Sequence, residues 1–290
     1  MDKVLLERAH QLLDRLEQLL PPIPAVTDWE KAIAHRWCHN GKQGYLQAVT
    51  RTSQIRLSDL LCIDQQKQQL DQNTRQFVNG LPANNALLWG PRGTGKSSLI
   101  KAILNEYSDQ GLRLIEVEKR HLEELPDMAE QLYNRPERFI IFCDDLSFET
   151  DDASYKSLKV VLDGSINRTP DNILIYASSN RRHLLPEYNQ DNTDARLIDT
   201  EIHYGEAVEE KISLSERFGL WLAFHPFNQD AYLRIVDHWL QQLNVIIDNR
   251  ESMQKDALRW ALLHGSRSGR SAWQFARDFA GKQQLNKLND

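Results

Sequence analysis

Leucine dominates the start of the chain at helical spacing. Leu5, Leu6, Ala9, Leu12, Leu13, Leu16, Leu19 and Leu20 recur with Glu7, Arg8, Asp14, Arg15 and Glu17 between them, which predicts an amphipathic helix that packs against something. Pro21-Pro22-Ile23-Pro24 ends it, because proline lacks an N–H and restricts the residue before it. A second helix is expected around Asp28–Arg36, then a polar, glycine-containing passage from His39 to Gly44 and a mixed segment to about Arg56. From Leu57 the pattern changes. Gln65–Val78 reads as a helix, after which short apolar runs follow: Ala86–Trp89, Leu112–Val117, Phe139–Cys143, Ile173–Ala177 and Leu220–Phe224. Each is bounded by Gly, Asp, Pro or Asn and reads as a buried strand. Helical patterns at Ser97–Tyr107, His121–Tyr133 and Tyr155–Leu162 separate several of them. Strand–helix alternation predicts a parallel sheet with helices on both faces. After Pro226 only helices are expected, at Gln229–Gln242, Gln254–Leu263 and Ser271–Asn286. The expected organisation is a helical N-terminal appendage (1–56), an α/β core with a five-stranded parallel sheet (57–226) and a small all-helical C-terminal part (227–290).

Composition adds limits to this picture. With 41% hydrophobic and 26% charged residues among 290, the chain can bury a core without staples. Cys38, Cys62 and Cys143 lie far apart with no CxxC pair, which opposes a disulfide framework or a zinc site and suits a reducing cytosol. Neither a signal peptide nor a membrane-spanning apolar run is legible, so a cytoplasmic protein is expected, with no membrane partner. A net charge of −6 argues against wholesale nucleic-acid binding but leaves room for a local basic patch.

The chemistry is concentrated in Gly90-Pro91-Arg92-Gly93-Thr94-Gly95-Lys96-Ser97, a complete GxxxxGK[ST] between a predicted strand and a predicted helix. Glycines let such a loop curl so that backbone N–H groups face phosphate oxygens, and the following helix presents its positive end to the same anion. The motif predicts ATP and Mg²⁺ as ligands. Lys96 reaches the β- and γ-phosphates, the Ser97 hydroxyl ligates Mg²⁺, and Ser98 joins the cofactor-binding set. Phe139–Cys143 ends in Asp144-Asp145, an apolar strand running into two carboxylates. Strands of a parallel sheet deliver ligand contacts at their carboxyl ends, so Asp144 is expected to hold Mg²⁺, directly or through water. Asp145 is the first choice to polarise an attacking water, with Glu149 as the alternative and helix capping as the plain reading of either acid.

Three later features carry a resemblance. Ile173-Leu174-Ile175-Tyr176-Ala177-Ser178-Ser179-Asn180 is an apolar strand ending in a polar residue, Ser215-Glu216-Arg217-Phe218-Gly219 precedes the last strand, and Gly269-Arg270-Ser271-Ala272-Trp273 opens the final helix. In order and spacing these resemble the sensor 1, arginine-finger and sensor 2 elements of AAA+ ATPases. The resemblance implies that Asn180 helps place the hydrolytic water, that Arg217 projects into a neighbouring subunit's site, and that Arg270, with Arg267 as substitute, reaches the phosphates from a C-terminal lid. Each also has a plain reading: a strand stopping at a turn, a surface ion pair, a solvated basic turn. Leu60-Leu61-Cys62-Ile63-Asp64 resembles the segment that covers adenine, which makes Leu61 and Ile63 candidates.

From about Leu57 onward, wording such as Asn84–Gly90, Phe142–Phe148, Ser178–Leu184 and Arg217–Leu222 resembles a bacterial AAA+ family known as the domain-of-unknown-function 815 family. In that family a glycine commonly sits where this chain has Cys62, and active AAA+ proteins usually carry glutamate where this chain has Asp145. The shorter acid implies slow basal turnover. The resemblance implies an oligomeric ring, such as a hexamer, that hydrolyses ATP to remodel or load a macromolecule. Two alternatives stay open: a phosphotransferase acting on a small metabolite, and an ATP-dependent scaffold that does not hydrolyse. Arg181-Arg182-His183 reads as a nucleic-acid contact, as a subunit interface facing the acidic run Glu206–Glu210, or plainly as a solvated loop, which weighs as much as the other two together; Trp29 and Trp37 read first as core and second as partner anchors.

Overall fold

A computed structural model describes residues 27–40, 44–148, 153–163, 170–182, 184, 196–198, 201–203 and 215–289. The leucine-rich N-terminal segment, His183 and Glu149 lie outside these described residues.

The strands are β1 (Ala34–His39), β2 (Gly44–Ala48), β3 (Ala86–Trp89), β4 (Leu112–Glu116), β5 (Arg138–Cys143), β6 (Ile173–Ser179), β7 (Arg196–Ile198), β8 (Glu201–His203) and β9 (Leu220–Ala223). The helices are α1 (Asp64–Val78), α2 (Lys96–Tyr107), α3 (Leu125–Leu132), α4 (Ala153–Asp163), α5 (Gln229–Gln242), α6 (Arg250–Leu263) and α7 (Gly269–Asn289). One sheet has seven strands in the order β2-β1-β4-β5-β6-β3-β9, parallel except for β1 with β2, and β7 pairs with β8 in a separate antiparallel ribbon. β3 lies between β6 and β9, with Ala86 opposite Tyr176 and Leu220, and Trp89 opposite Ser179 and Ala223. Both of its edges are paired, so its carboxyl end is held from two sides. The strand is apolar because both faces of the sheet are covered: Leu87 belongs to the cluster on one face and Leu88 to that on the other, each fully buried.

The expected five-strand count is corrected by β1 and β2, and so is the helical character of the appendage over its described residues. Instead of a helix over Asp28–Arg36, the chain pairs β1 in parallel with β4, with His35 opposite Ile115. The edge of β4 offers unpaired N–H and C=O groups, and joining it also buries Trp29 and Trp37, both now core residues. Local helical spacing therefore loses to a non-local edge. The helix expected over His121–Tyr133 is also shorter. Pro126, in the first turn of α3, favours a start there, and Lys119–Glu124 forms 3₁₀ turns instead.

α5, α6 and α7 gather their own apolar cluster around Tyr232, Ile235, Val236, Leu240, Met253 and Phe275. Leu61, Cys62 and Phe227 pack partly against it. Among the described residues no helix is long and apolar enough to cross a membrane.

One polar network ties α1 to the strand that feeds the loop. Asn73 Nδ2 donates to the Asn84 carbonyl at 2.8 Å and to the Tyr176 hydroxyl at 3.0 Å, and its Oδ1 accepts from the Asn84 N–H at 3.0 Å. Asn73→Ala would remove all three bonds, two of them to the exposed Asn84 and one to the buried Tyr176 hydroxyl, which keeps Thr74 Oγ1 at 2.9 Å, and each such bond contributes about 0.5–1.5 kcal/mol net. Urea unfolding should show a loss of at least about 2 kcal/mol for Asn73→Ala, and a smaller loss for Tyr176→Phe.

His35 gives a pH dependence. It is 1% exposed, neither ring nitrogen has a hydrogen-bond partner among the described residues, and its ring lies 4.4 Å from that of Trp29. Burial, with Arg113 adding to it, lowers its pKa from 6.5 to about 4. The unfolded chain therefore holds this proton more tightly than the folded one. The protein keeps its stability above the unfolded value and loses it as pH falls toward the folded one, by about 2 kcal/mol between pH 7 and pH 5. Denaturation of His35→Phe across that range should show a flatter profile; an unchanged slope would exclude His35 as its source.

Candidate functional site

Where β3 ends, the chain must turn sharply before α2 begins. Gly90, Gly93 and Gly95 have φ of +139°, +77° and +104°, in the region that favours residues without a Cβ. At Gly90 space is also lacking, since a Cβ would lie 2.1 Å from the Phe224 carbonyl oxygen, which follows β9. The loop so formed brings Lys96 Nζ to the Gly90 carbonyl at 2.6 Å, the Pro91 carbonyl at 2.9 Å and Asn180 Oδ1 at 3.3 Å. Burial lowers the Lys96 pKa, partly offset by Asp144 and Asp145.

Asp144 and Asp145 leave the carboxyl end of β5 beside the end of β6. Ser97 Oγ donates to Asp144 Oδ1 at 2.7 Å, and Ser178 Oγ donates to the same oxygen. The Asp145 carboxylate accepts from the Asn180 amide and, at 3.1 Å, from Arg92 Nη2. Asp145 has φ of +52°, and aspartate tolerates the left-handed region better than glutamate does. That backbone gives a local reason for the shorter acid. Cys62, where the resembled family commonly has glycine, has φ of +63°.

The final helix meets this loop directly. The Gly269 N–H donates to the Gly93 carbonyl at 2.8 Å, and a Cβ at Gly93 would come within 2.8 Å of Ser268 Cβ and 3.6 Å of Arg270 Cβ. Ser268 caps the helix by accepting from the Ser271 N–H at 3.1 Å. Arg270 and Arg267 are both exposed. Ile63 Cδ1 lies 3.5 Å from where a Gly95 Cβ would be, whereas Leu61 packs on the C-terminal cluster. Arg182 lies over the Trp89 ring at 5.7 Å.

The structure thus brings together the loop, Asp144, Asp145, Asn180, Ile63 and the start of α7. It does not bring Arg217 to them. Arg217 precedes β9, whose first residue, Leu220, is opposite the first residue of β3, so Arg217 lies at the sheet edge away from the loop. Four residues of strand, about 10–13 Å, intervene. The sequence reading missed Ser178. A serine at the end of a buried strand gives no signal until the neighbouring strand is known.

The oxygen donors suit Mg²⁺. Ser97 and Asp144 pair a hydroxyl with a carboxylate at the foot of the loop, and no group of three or more His, Cys, Asp or Glu among the described residues could cage a metal alone. Mg²⁺ is typically held by one or two protein oxygens together with the phosphates it accompanies.

Comparisons place the chain. Residues 30–283 match the family described as "Protein of unknown function (DUF815)", and the chain belongs to that family. No curated protein matches it. Its fold is that of AAA+ P-loop proteins. The Thermotoga maritima RuvB Holliday junction branch migration motor matches at TM-score 0.55 with 18% identity, over 80% of this chain and 66% of that one. The Aeropyrum pernix ORC1 protein, solved in complex with DNA, matches at TM-score 0.51 with 13% identity, over 80% of this chain and 65% of that one. The chain therefore spans just under two thirds of these structures' length.

Gly90→Ala should be the most disruptive single-methyl change in the loop. It combines the 2.1 Å approach to a backbone carbonyl with φ of +139°. Thermal and urea unfolding should show a loss of at least about 2 kcal/mol, whereas Gly111→Ala, with nothing within 4 Å, should lose only the cost of its φ of +85°.

Proposed function

We propose that this chain binds ATP with Mg²⁺ at the phosphate loop and hydrolyses it as an oligomer, using the energy to remodel or load a macromolecule. The observation that carries the reading is the convergence of Lys96, Ser97, Asp144, Asp145 and Asn180 at one sheet edge. Lys96 balances phosphate charge, and the loop N–H groups with the α2 terminus hold the phosphates. Mg²⁺, held by Ser97 and Asp144, would neutralise charge on the β- and γ-phosphates. Asp145 accepts a proton from the attacking water, and Asn180 orients that water. Arg270 reaches the γ-phosphate from α7, which makes the three C-terminal helices a lid.

The position of Arg217 supports the oligomer. It lies at the far edge of its own sheet, so its use in catalysis requires a neighbouring copy. A permanently charged, planar guanidinium suits charge developing on a γ-phosphate. A nucleic-acid client fits the exposed Arg181 and Arg182 and the printed descriptions of the RuvB and ORC1 structures. One observation favours a second reading, the scaffold that does not hydrolyse: Arg92 and Asn180 engage both oxygens of Asp145.

Mixing two inactive variants tests the reading. Lys96→Ala removes the site and keeps Arg217; Arg217→Ala does the reverse. Each alone should lose about a thousand-fold in turnover, and the mixture should recover a measurable fraction through composite sites. Wild-type turnover should also rise with protein concentration. A mixture as inactive as its parts sinks the shared site. Tight ATP binding without turnover at any concentration would favour the scaffold.

A further inference from the structure

We propose that Ser178 is a positioning residue for the metal-binding carboxylate, a role that rests on the Mg²⁺–ATP reading of the site. Ser178 is 2% exposed and stands in β6, where Leu88 of β3 pairs with it on one side. On the other side, the last paired residues of β5 and β6 are Cys143 and Ala177, so the chain leaving β5 passes beside Ser178. Three bonds join them. Ser178 Oγ donates to Asp144 Oδ1 at 2.5 Å, the Asp145 N–H donates to Ser178 Oγ at 3.1 Å, and the Leu146 N–H donates to the Ser178 carbonyl at 2.7 Å.

These bonds do two things at once. They hold the left-handed turn at Asp145, which a residue with a Cβ adopts only at a cost that its surroundings offset. They also fix the Asp144 carboxylate. Its Oδ1 accepts from Ser178 Oγ, from Ser97 Oγ at 2.7 Å and from the Asp145 N–H at 3.1 Å. Three donors on one oxygen set the plane of the carboxylate and hold the hydroxyl of Ser97 beside it. Asp144 is itself exposed, so without such support its side chain would sample several rotamers. Ser178 is the buried member of the group, and among the described residues it alone reaches both acids from a different strand. A ligand whose orienting partner is removed commonly loses about 10–100-fold in metal affinity.

The test compares wild type, Ser178→Ala and Ser178→Thr, the last keeping the hydroxyl. Affinity for a fluorescent ATP analogue is measured in EDTA and across an Mg²⁺ titration, with thermal unfolding alongside. For Ser178→Ala the affinity in EDTA should match wild type, and the Mg²⁺ midpoint should rise about ten-fold. Ser178→Thr should lie close to wild type in both. An Mg²⁺ midpoint unchanged in Ser178→Ala overturns the proposal and leaves the nucleotide site intact. So does a loss of affinity in EDTA equal to that in Mg²⁺, because Ser178 would then support the loop as a whole. Ser178→Thr binding normally in EDTA but with the midpoint of Ser178→Ala also overturns it. A wild-type protein whose affinity ignores Mg²⁺ would overturn the underlying reading of the site as well.

Discussion

Parallel pairing on both sides of β3 is the constraint from which the site follows. All strands of a parallel sheet end on one edge, so β3, β5 and β6 deliver their carboxyl ends side by side. The loop after β3, the acids after β5 and the amide after β6 therefore meet without any of them being near in sequence. Register sharpens this. Cys143 opposite Ala177 puts Asp144 beside Ser178, and Trp89 opposite Ser179 puts Gly90 level with Asn180. The Gly90 N–H donates to the Ser179 carbonyl at 3.1 Å, continuing the ladder one step past the strand. A shift of one residue in either register would turn those side chains to the other face.

What was legible in the sequence divides along local and non-local lines. The phosphate loop could be read because its glycines answer to backbone geometry within eight residues, and the five apolar runs because both faces of the sheet bury them. β1 and β2 could not, since nothing in Ala34–His39 announces that the edge of β4 needs a partner. Trp37 held a clue: a buried tryptophan whose Nε1 donates to Glu124 at 2.8 Å belongs to a core, not to a solvated appendage. Ser178 was hidden for the same reason as β1. Its use depends on a strand more than thirty residues away, as its bond to Asp144 at a separation of 34 shows. Asp145, legible as an oddity, becomes explicable only with its φ of +52°.

The C-terminal helices touch the α/β layer at two described points that bear on the loop. One is the Gly269 N–H on the Gly93 carbonyl, inside the phosphate loop itself. The other is the Leu60–Ile63 segment, where Ile63 is core on the sheet side, Leu61 and Cys62 pack against the helices, and the Cys62 thiol lies 3.8 Å from the Ala231 carbonyl. Helices resting on a phosphate-binding loop and on the segment leading to α1 feel a change at either place. Close-packed elements shift as units and do not deform continuously.

That coupling matters because Arg217 lies at the opposite sheet edge. Phe218, 1% exposed, anchors the turn that carries it, and the Ser215 hydroxyl, within reach of the Leu184 N–H at 3.5 Å, braces it from within. Asn84 leaves no room for a Cβ at Gly219, whose approach would be 2.5 Å, so the turn is held close to the entrance of β3. The strand that ends in the phosphate loop therefore begins beside the turn that presents Arg217. A four-residue strand paired on both edges is a stiff connection between them. In the oligomer proposed above, with the two edges apposed, each copy's loop faces a turn whose position is set by the base of the neighbour's own β3.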